Sequence, residues 1–490
     1  MKKNILKNDL SVLLDPHFKS DLIQEEYEIS WLDPIELLTY SRLDLAIKIL
    51  YLEYKKYGPT FYTAQLYSEH IKAFSMGSYS EPGNRDKSSL QNYLDDFEAI
   101  SKIVESSGLD DTISVVPISE NGSIANGAHR VAASHVARRH VPAVWLGCPN
   151  HEYDAKFFIQ RGMSQSDVEV AVTKFIELAE NCYTALIWPS AEGKDNELES
   201  LIPNILYRKN VELNHTGAHN LLSQVYYDEP WLGERVENYP GVENKLVECF
   251  KTFNDLRVIA FQAPNLDQVL LLKEKIRTLY SIGKHSVHIT DTQSEAVRVA
   301  RTLFNDNSVH FLNHGRPNKY LTTHKKLERF KQFLALKNLN IEEVVLDSSV
   351  ILSLYGLREC NDIDYLSIKD VAEDMHDEII QNHIDDLKFH GQEIETLIFD
   401  PSFYFYYDDM KFVAFSQLLL MKKKRSEEKD LNDVEIMNAL MQKDGFRKVI
   451  ATAKQRYYFL RIMMKLNAML VLKHIGLYNL ARMIYRKLKQ

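Results

Sequence analysis

Two stretches of this 490-residue chain bring together residue types that handle phosphate. The first runs from Ile113 to Ala133 and centres on Asn126-Gly127-Ala128-His129-Arg130. Its pattern predicts a strand, a tight turn at Asn121-Gly122, a second short strand, and a helix opening at Gly127. Glycine lets backbone approach a ligand closely. Free N–H groups at a helix start, aided by the helix dipole, suit an anion. His129 and Arg130 add donors, and arginine can clamp a phosphate through two parallel bonds. Phosphoryl transfer also needs a base for the attacking hydroxyl; Glu120 and Glu81 qualify by position. The second stretch runs from Val345 to Leu366. It predicts a strand, the turn Asp347-Ser348-Ser349, a helix, Gly356-Leu357-Arg358, and a strand carrying Asp362 and Asp364. Residues i and i+2 of a strand share a face, so these two carboxylates can hold Mg²⁺ through oxygen. Such a metal bridges phosphate oxygens and stabilises in-line displacement. The plainer alternatives are an ordinary Asn-Gly turn beside a surface arginine, and two aspartates facing solvent.

The first stretch resembles the ParB/sulfiredoxin superfamily, whose turn is commonly Asp-Gly-x-His-Arg followed by small residues. The resemblance covers about residues 90–147, including Gly108 and the closing Val-Pro strand. Asn126 stands where Asp is usual, and Ala128 where sulfiredoxins carry Cys. It implies nucleotide-phosphate binding by Asn126, Gly127, His129 and Arg130. Members include CTP-hydrolysing partition proteins, sulfiredoxins and free-amino-acid kinases. No helix-turn-helix tract follows, so the kinase branch is the expectation. The second stretch looks like the polymerase-beta-type nucleotidyltransferase superfamily, with its Gly-Ser turn, helix and paired carboxylates. That resemblance implies that Ser348 or Ser349 contacts the triphosphate and that Asp362 and Asp364 bind metal. It places Asp347 where Gly is usual, a carboxylate that would repel phosphate. A third carboxylate is expected on a later strand, with Glu395 and Asp400 as candidates.

Weaker signals lie between the two. Trp188-Pro-Ser-Ala-Glu-Gly-Lys194 ends a strand but lacks the spacing of a phosphate loop. His215 and His219 could share a metal only on a helix, and Gly217 between them favours a loop. His288 could serve acid/base chemistry, although a structural role is the simpler reading. Lys273, Lys275 and Arg277 share one helix and could meet phosphate or solvent.

Periodicity gives the elements that hold these motifs. Helices are expected in residues 31–76, a polar loop over 77–89, a helix over 90–107, and strands at Ile113–Ile118 and Val141–Leu146. Residues 165–285 alternate helices with strands such as Tyr183–Trp188 and Leu256–Phe261, an α/β pattern. Residues 286–440 predict a long helix over 322–338, strands near 343–347, 362–367 and 394–399, an aromatic strand Phe403–Tyr407, and a helix over 412–424. The expected fold is therefore α+β and multidomain. A ParB/sulfiredoxin-like module with N-terminal helices spans 1–160, and an α/β middle domain spans 161–285. A nucleotidyltransferase-like domain spans 286–440, and a basic amphipathic helical tail spans 441–490.

Charge separates body from tail. The whole chain carries −9, but Phe446–Gln490 holds eleven Lys/Arg and no Asp/Glu. That leaves −20 on residues 1–445. An acidic body argues against a broad nucleic-acid surface. The tail interleaves cations with Leu, Ile, Met, Tyr and Phe, as in helices lying on an anionic membrane; packing against the acidic body is the alternative. Four scattered Cys argue against a disulfide framework or a zinc site. No leader and no membrane span are read, so a cytoplasmic protein, peripheral at the inner face of the membrane, is expected.

Together these features point to a transferase that uses Mg²⁺ and ATP, ADP or CTP. It would move a phosphoryl or nucleotidyl group to a small polar or glycan acceptor in bacterial envelope polysaccharide biosynthesis. The alternatives are a nucleotide-binding regulatory or partition-type protein without transfer chemistry, and a degenerate scaffold.

Overall fold

The computed structural model describes residues 2–58, 61–80, 88–369, 371 and 379–441, with 460, 464, 467–474, 476–478 and 483. Glu81 and most of the basic tail lie outside the described residues. Residues 467–474 are helical.

Among the described residues thirteen strands form three sheets, and the protein is α+β and multidomain. The first sheet contains β1 (Lys2–Leu6), β2 (Glu26–Leu32), β3 (Val116–Ile118) and β4 (Val141–Trp145), in the order β1-β2-β4-β3. The β3/β4 pair is parallel and the others are antiparallel. The second contains β5 (Cys182–Ile187), β6 (Ile205–Val211), β7 (Leu256–Gln262) and β8 (Val287–Ile289), in the order β6-β7-β5-β8. All its pairs are antiparallel. Helices alternate with these strands as the sequence predicts, and two of the crossovers are split βαβ units: β5 and β6 run parallel with β7 between them, and β7 and β8 run parallel with β5 between them. Pairing of β8 with β5 also carries this sheet past residue 285.

The third sheet positions the Asp site. It contains β9 (Val344–Asp347), β10 (Ile363–Ser367), β11 (Ile380–Asn382), β12 (Tyr404–Tyr407) and β13 (Met410–Val413), in the order β11-β10-β9-β13-β12. β9 is central and fully buried, as its Val-Val-Leu-Asp sequence requires of a strand covered on both faces. The stretch expected as a strand near 394–399 is instead a helix, Ile394–Phe399. Its apolar residues fall at 394, 397, 398 and 399, and the i, i+3, i+4 spacing of the first three buries one helical face, with Phe399 buried beside it. The helix expected over 412–424 begins later, at Phe415, because residues up to Val413 pair in β13.

One apolar core runs through all three units. Its N-terminal end is the Asp44–Tyr54 helix, buried along almost its whole length. Tyr54 and Phe61 each meet Phe399 of the third unit at 4.5 Å between ring centroids. A buried ion cluster starts that helix: Arg42 Nε lies 2.9 Å from Asp44, as does Lys48 Nζ. Burial works against the Asp44 charge, but the two cations hold its carboxyl far below the usual range.

Candidate functional site

The Asp site is built by the register of two strands. β9 and β10 run antiparallel with Asp347 directly opposite Asp364, so both side chains leave the same face of the sheet. Asp362 lies just before β10 begins and acts electrostatically on Asp364. The sheet therefore brings together three carboxylates. Asp347 supplies the third; Glu395 sits on the Ile394–Phe399 helix, and Asp400 accepts from the Ser402 N–H at 2.9 Å beside Asp167.

The turn after β9 is strained. Ser348 has φ +63° and ψ −126°, a conformation that favours glycine. Ser348, rather than Asp347, thus holds the glycine-like position of the turn, and Asp347 is the last residue of the strand. This registers Ser349 as the serine that opens the Ser349–Leu354 helix. Its hydroxyl donates to Asp362 Oδ1 at 3.1 Å, and the Ser348 hydroxyl bonds Asp364. Asp364 is 7% exposed. Burial pushes its pKa up to about 6; neighbouring Asp362 and Asp347 add to the rise, against the opposing pull of His383.

Asp347 does not confront a ligand as a bare charge. His383 Nδ1 donates to its Oδ2 at 2.9 Å and His390 Nε2 to the same oxygen at 3.0 Å. Burial disfavours the Asp347 carboxylate, but the two histidines hold its pKa far below the usual range. Asp347 Oδ1 is buried without a hydrogen-bond partner. His383 faces a second carboxylate, Asp386, with Nε2 at 2.7 Å. With both ring nitrogens on carboxylates, the imidazole must carry both protons; its pKa rises against the downward pull of burial. β11 places it, through pairing with β10 and a 2.8 Å bond from the His383 N–H to the Tyr365 carbonyl.

The chain of charges continues outward. Arg425 joins Asp386 at 2.7 Å and Asp430 at 2.8 Å. Lys422 joins Asp430 at 3.0 Å and Asp433 at 2.9 Å. Arg358 closes it with a bidentate grip on Asp433 at 2.6 and 2.9 Å. This ladder ties the Glu428–Met441 helix to the Phe415–Arg425 helix and to the segment holding Asp362 and Asp364. Sequence reasoning missed all of it except Arg358. The available signal was the Lys422-x-x-Arg425 and Asp430-x-x-Asp433 spacing, which puts like charges on matching helical faces; nothing local marked His383 and His390.

The Asn126–Arg130 turn is arranged differently. Gly127 adopts φ +89° and caps the Ala128–Val136 helix, as predicted. Its N–H, however, donates to the Asn126 side chain at 2.5 Å. Asn126 also reaches Asp15. Arg130 folds inward to Ser114 and to the Val115 carbonyl, the latter at 3.1 Å. A β-carbon at 127 would stand 2.8 Å from that guanidinium and 3.0 Å from Val116, so close packing explains the glycine here. His129 Nε2 and the Tyr67 hydroxyl are 2.9 Å apart, and the imidazole packs tilted against Phe97 at 4.4 Å between ring centroids. Glu120 is exposed beyond the far end of β3, whereas Arg130 lies at its start. The structure does not bring those two together.

Other expectations resolve as follows. Residues 215–225 form a helix despite Gly217, because Asn214 caps it through the Gly217 N–H at 2.9 Å and Gly217 packs against Asn313. His215 and His219 are thus one turn apart, and burial pushes the His215 pKa down to about 4. Lys194 donates to the Leu279 carbonyl at 2.7 Å. All four cysteines are buried and free of disulfides. Among the described residues, no group of three or more His, Cys, Asp or Glu is placed to hold a metal ion, and no helix is long and apolar enough to cross a membrane. No family model, curated protein or solved structure matches this chain.

Proposed function

We propose that the chain is a magnesium-dependent nucleotidyl- or phosphoryltransferase acting through Asp362, Asp364 and the Ser348–Ser349 turn. One observation carries this reading: Asp364 on β10 and Asp362 just before that strand lie against a strained, hydroxyl-bearing turn at a helix start. A magnesium ion commonly takes only one or two protein carboxylates and completes its shell with water and phosphate, so Asp362 and Asp364 suffice to hold it. Bound there, it would neutralise the oxygens of the transferring phosphate. Ser348 and Ser349 offer hydroxyl donors to the same group. The imidazolium of His383, with His390, offsets the charge of Asp347 and so lowers the repulsion a polyphosphate would meet at the turn. The ion-pair ladder from Asp386 to Arg358 keeps these groups in register.

Within this proposal the acceptor is a small polar or glycan compound, and the setting is envelope polysaccharide synthesis at the inner membrane face. The acidic body with its basic tail supports that setting. The ParB/sulfiredoxin-like turn enters as a folding unit, since Arg130 and the Gly127 N–H are already engaged internally. To test the reading, the protein is incubated with Mg²⁺, each nucleoside triphosphate and glycan precursors, and products are followed by mass. Asp362→Asn is expected to abolish turnover and Arg130→Ala to leave the chemistry intact. Turnover by Asp362→Asn equal to that of the unmodified protein would exclude the site.

A further inference from the structure

A cavity lies away from the Asp site, at the β8 edge of the antiparallel sheet. It measures about 1060 Å³. Its walls are the Val242–Cys249 and Leu266–Tyr280 helices, the turn at Lys284–His285, β8, the start of the Gln293–Leu303 helix with Asp291 before it, and the segment 225–231.

The wall carries five Lys/Arg and five carboxylates and is neutral overall, but the charges are unevenly placed, with Asp228 and Glu229 on the 225–231 segment and Lys245, Arg277 and Lys284 on the helices and turn facing it. Three of the carboxylates already face a cation or an imidazole. Asp291 meets Lys273 at 2.5 Å, Glu295 meets His288 at 2.7 Å, and Glu248 meets Lys251 at 3.3 Å. Three cations lack such an arrangement inside the cavity. Lys245 Nζ donates to the Lys284 backbone carbonyl at 3.1 Å and lies 5.2 Å over the Tyr226 ring. Arg277 bonds the exposed Glu274 through one terminal nitrogen at 2.6 Å, while its Nε is buried without a partner. Lys284 is exposed on the adjoining turn. Burial lowers the Lys245 pKa, and Lys284 and Arg277 push it the same way. Like charges held together in a concave site are relieved by an anion. Beside them stand two part-exposed aromatic rings: Trp231, 44% exposed and packed on Tyr226 at 5.2 Å, and Tyr227, 50% exposed with the Arg298 guanidinium 4.5 Å over one face. Aromatic faces next to a cationic cluster suit a ring attached to a phosphate.

We propose that this cavity binds a phosphorylated ring compound, a sugar phosphate or nucleotide, with its phosphate on Lys245, Arg277 and Lys284 and its ring against Trp231 and Tyr227. The site is separate from Asp362 and Asp364 and does not require them.

The test is calorimetric titration of the full chain with inorganic pyrophosphate, glucose 1-phosphate and UMP. EDTA is kept present, so that metal-dependent binding at the Asp site is silent. Saturable binding of at least one probe is expected at millimolar concentration or below. Lys284→Glu and Arg277→Gln are each expected to weaken it by about tenfold or more, as loss of a charge-assisted bond does. Lys284 is exposed, so its replacement leaves folding intact, and an unchanged thermal midpoint checks this. Trp231→Ala is expected to weaken glucose 1-phosphate or UMP while sparing pyrophosphate. The better of those two ligands tells sugar phosphate from nucleotide. Absence of saturable binding by the unmodified protein overturns the proposal. So does equal binding by Lys284→Glu and Arg277→Gln, or binding that is lost in Asp364→Asn instead.

Discussion

Replacing Asp347 by Asn isolates the part of the site that is easiest to quantify. Asp347 is fully buried, and its Oδ2 accepts from both His383 and His390. Asparagine keeps the shape and one acceptor oxygen but removes the charge that the imidazoles face. Breaking a buried charged pair costs about 3–5 kcal/mol; the near-isosteric swap belongs at the lower end, about 3 kcal/mol. Every 1.4 kcal/mol is tenfold, so amides of β9 and β10 should exchange hydrogen roughly 100-fold faster in Asp347→Asn. The pH dependence has a definite sign. The folded pKa of His383 is raised above its ordinary 6.5, so its stabilisation is complete below that value and is lost as pH rises through the raised one. Asp347 is depressed below 3.8, so its contribution is complete above 3.8 and is lost only in strong acid. Protection of β9 and β10, corrected for intrinsic exchange, should therefore decline above pH 6.5 in the unmodified protein, and the substitution should flatten that decline. Acceleration of less than about threefold, or an unchanged pH profile, would refute the reasoning.

Three further outcomes follow from the same geometry. Gly127→Ala forces a left-handed residue and presses on Arg130 and Val116, so it should cost about 2 kcal/mol, seen as faster exchange across residues 116–136. Asp44→Asn leaves Arg42 and Lys48 buried without their carboxylate and should cost about 3–5 kcal/mol; limited proteolysis of the N-terminal module reads this as early cleavage. Asp364 titrates near 6, and a metal needs it ionised. Magnesium affinity by calorimetry should therefore fall by about tenfold per pH unit below 6 and stay level above it.

The sequence carried much of the local structure and little of the long-range pairing. The Leu90–Ser107 helix, its closing Gly108, β5, β7 and the Asp364 strand were legible because periodicity and turn residues are local signals. β1 and β2 were not read, although Tyr27 and Ile29 alternate with exposed residues as a half-buried strand should. Ile394–Phe399 was misread because six residues hold too little of either period to separate helix from strand. At the site, the aspartates were visible through their i, i+2 spacing and the serines as an adjacent pair in a turn. The partners of Asp347 were not, because His383 and His390 reach it only after β11 aligns beside β10. Arg130 shows the converse. Its motif suggested an open phosphate clamp, but Ser114 and Val115 occupy its donors once β3 is in place.

The central claim is that Asp362 and Asp364 form a metal-nucleotide site. The direct measurement is binding of a non-hydrolysable nucleoside triphosphate analogue, with and without Mg²⁺, to the unmodified chain and to Asp364→Asn. The account predicts Mg²⁺-dependent binding that weakens by at least about tenfold in the variant. Binding that ignores Mg²⁺, or that is equal in both proteins, would contradict it.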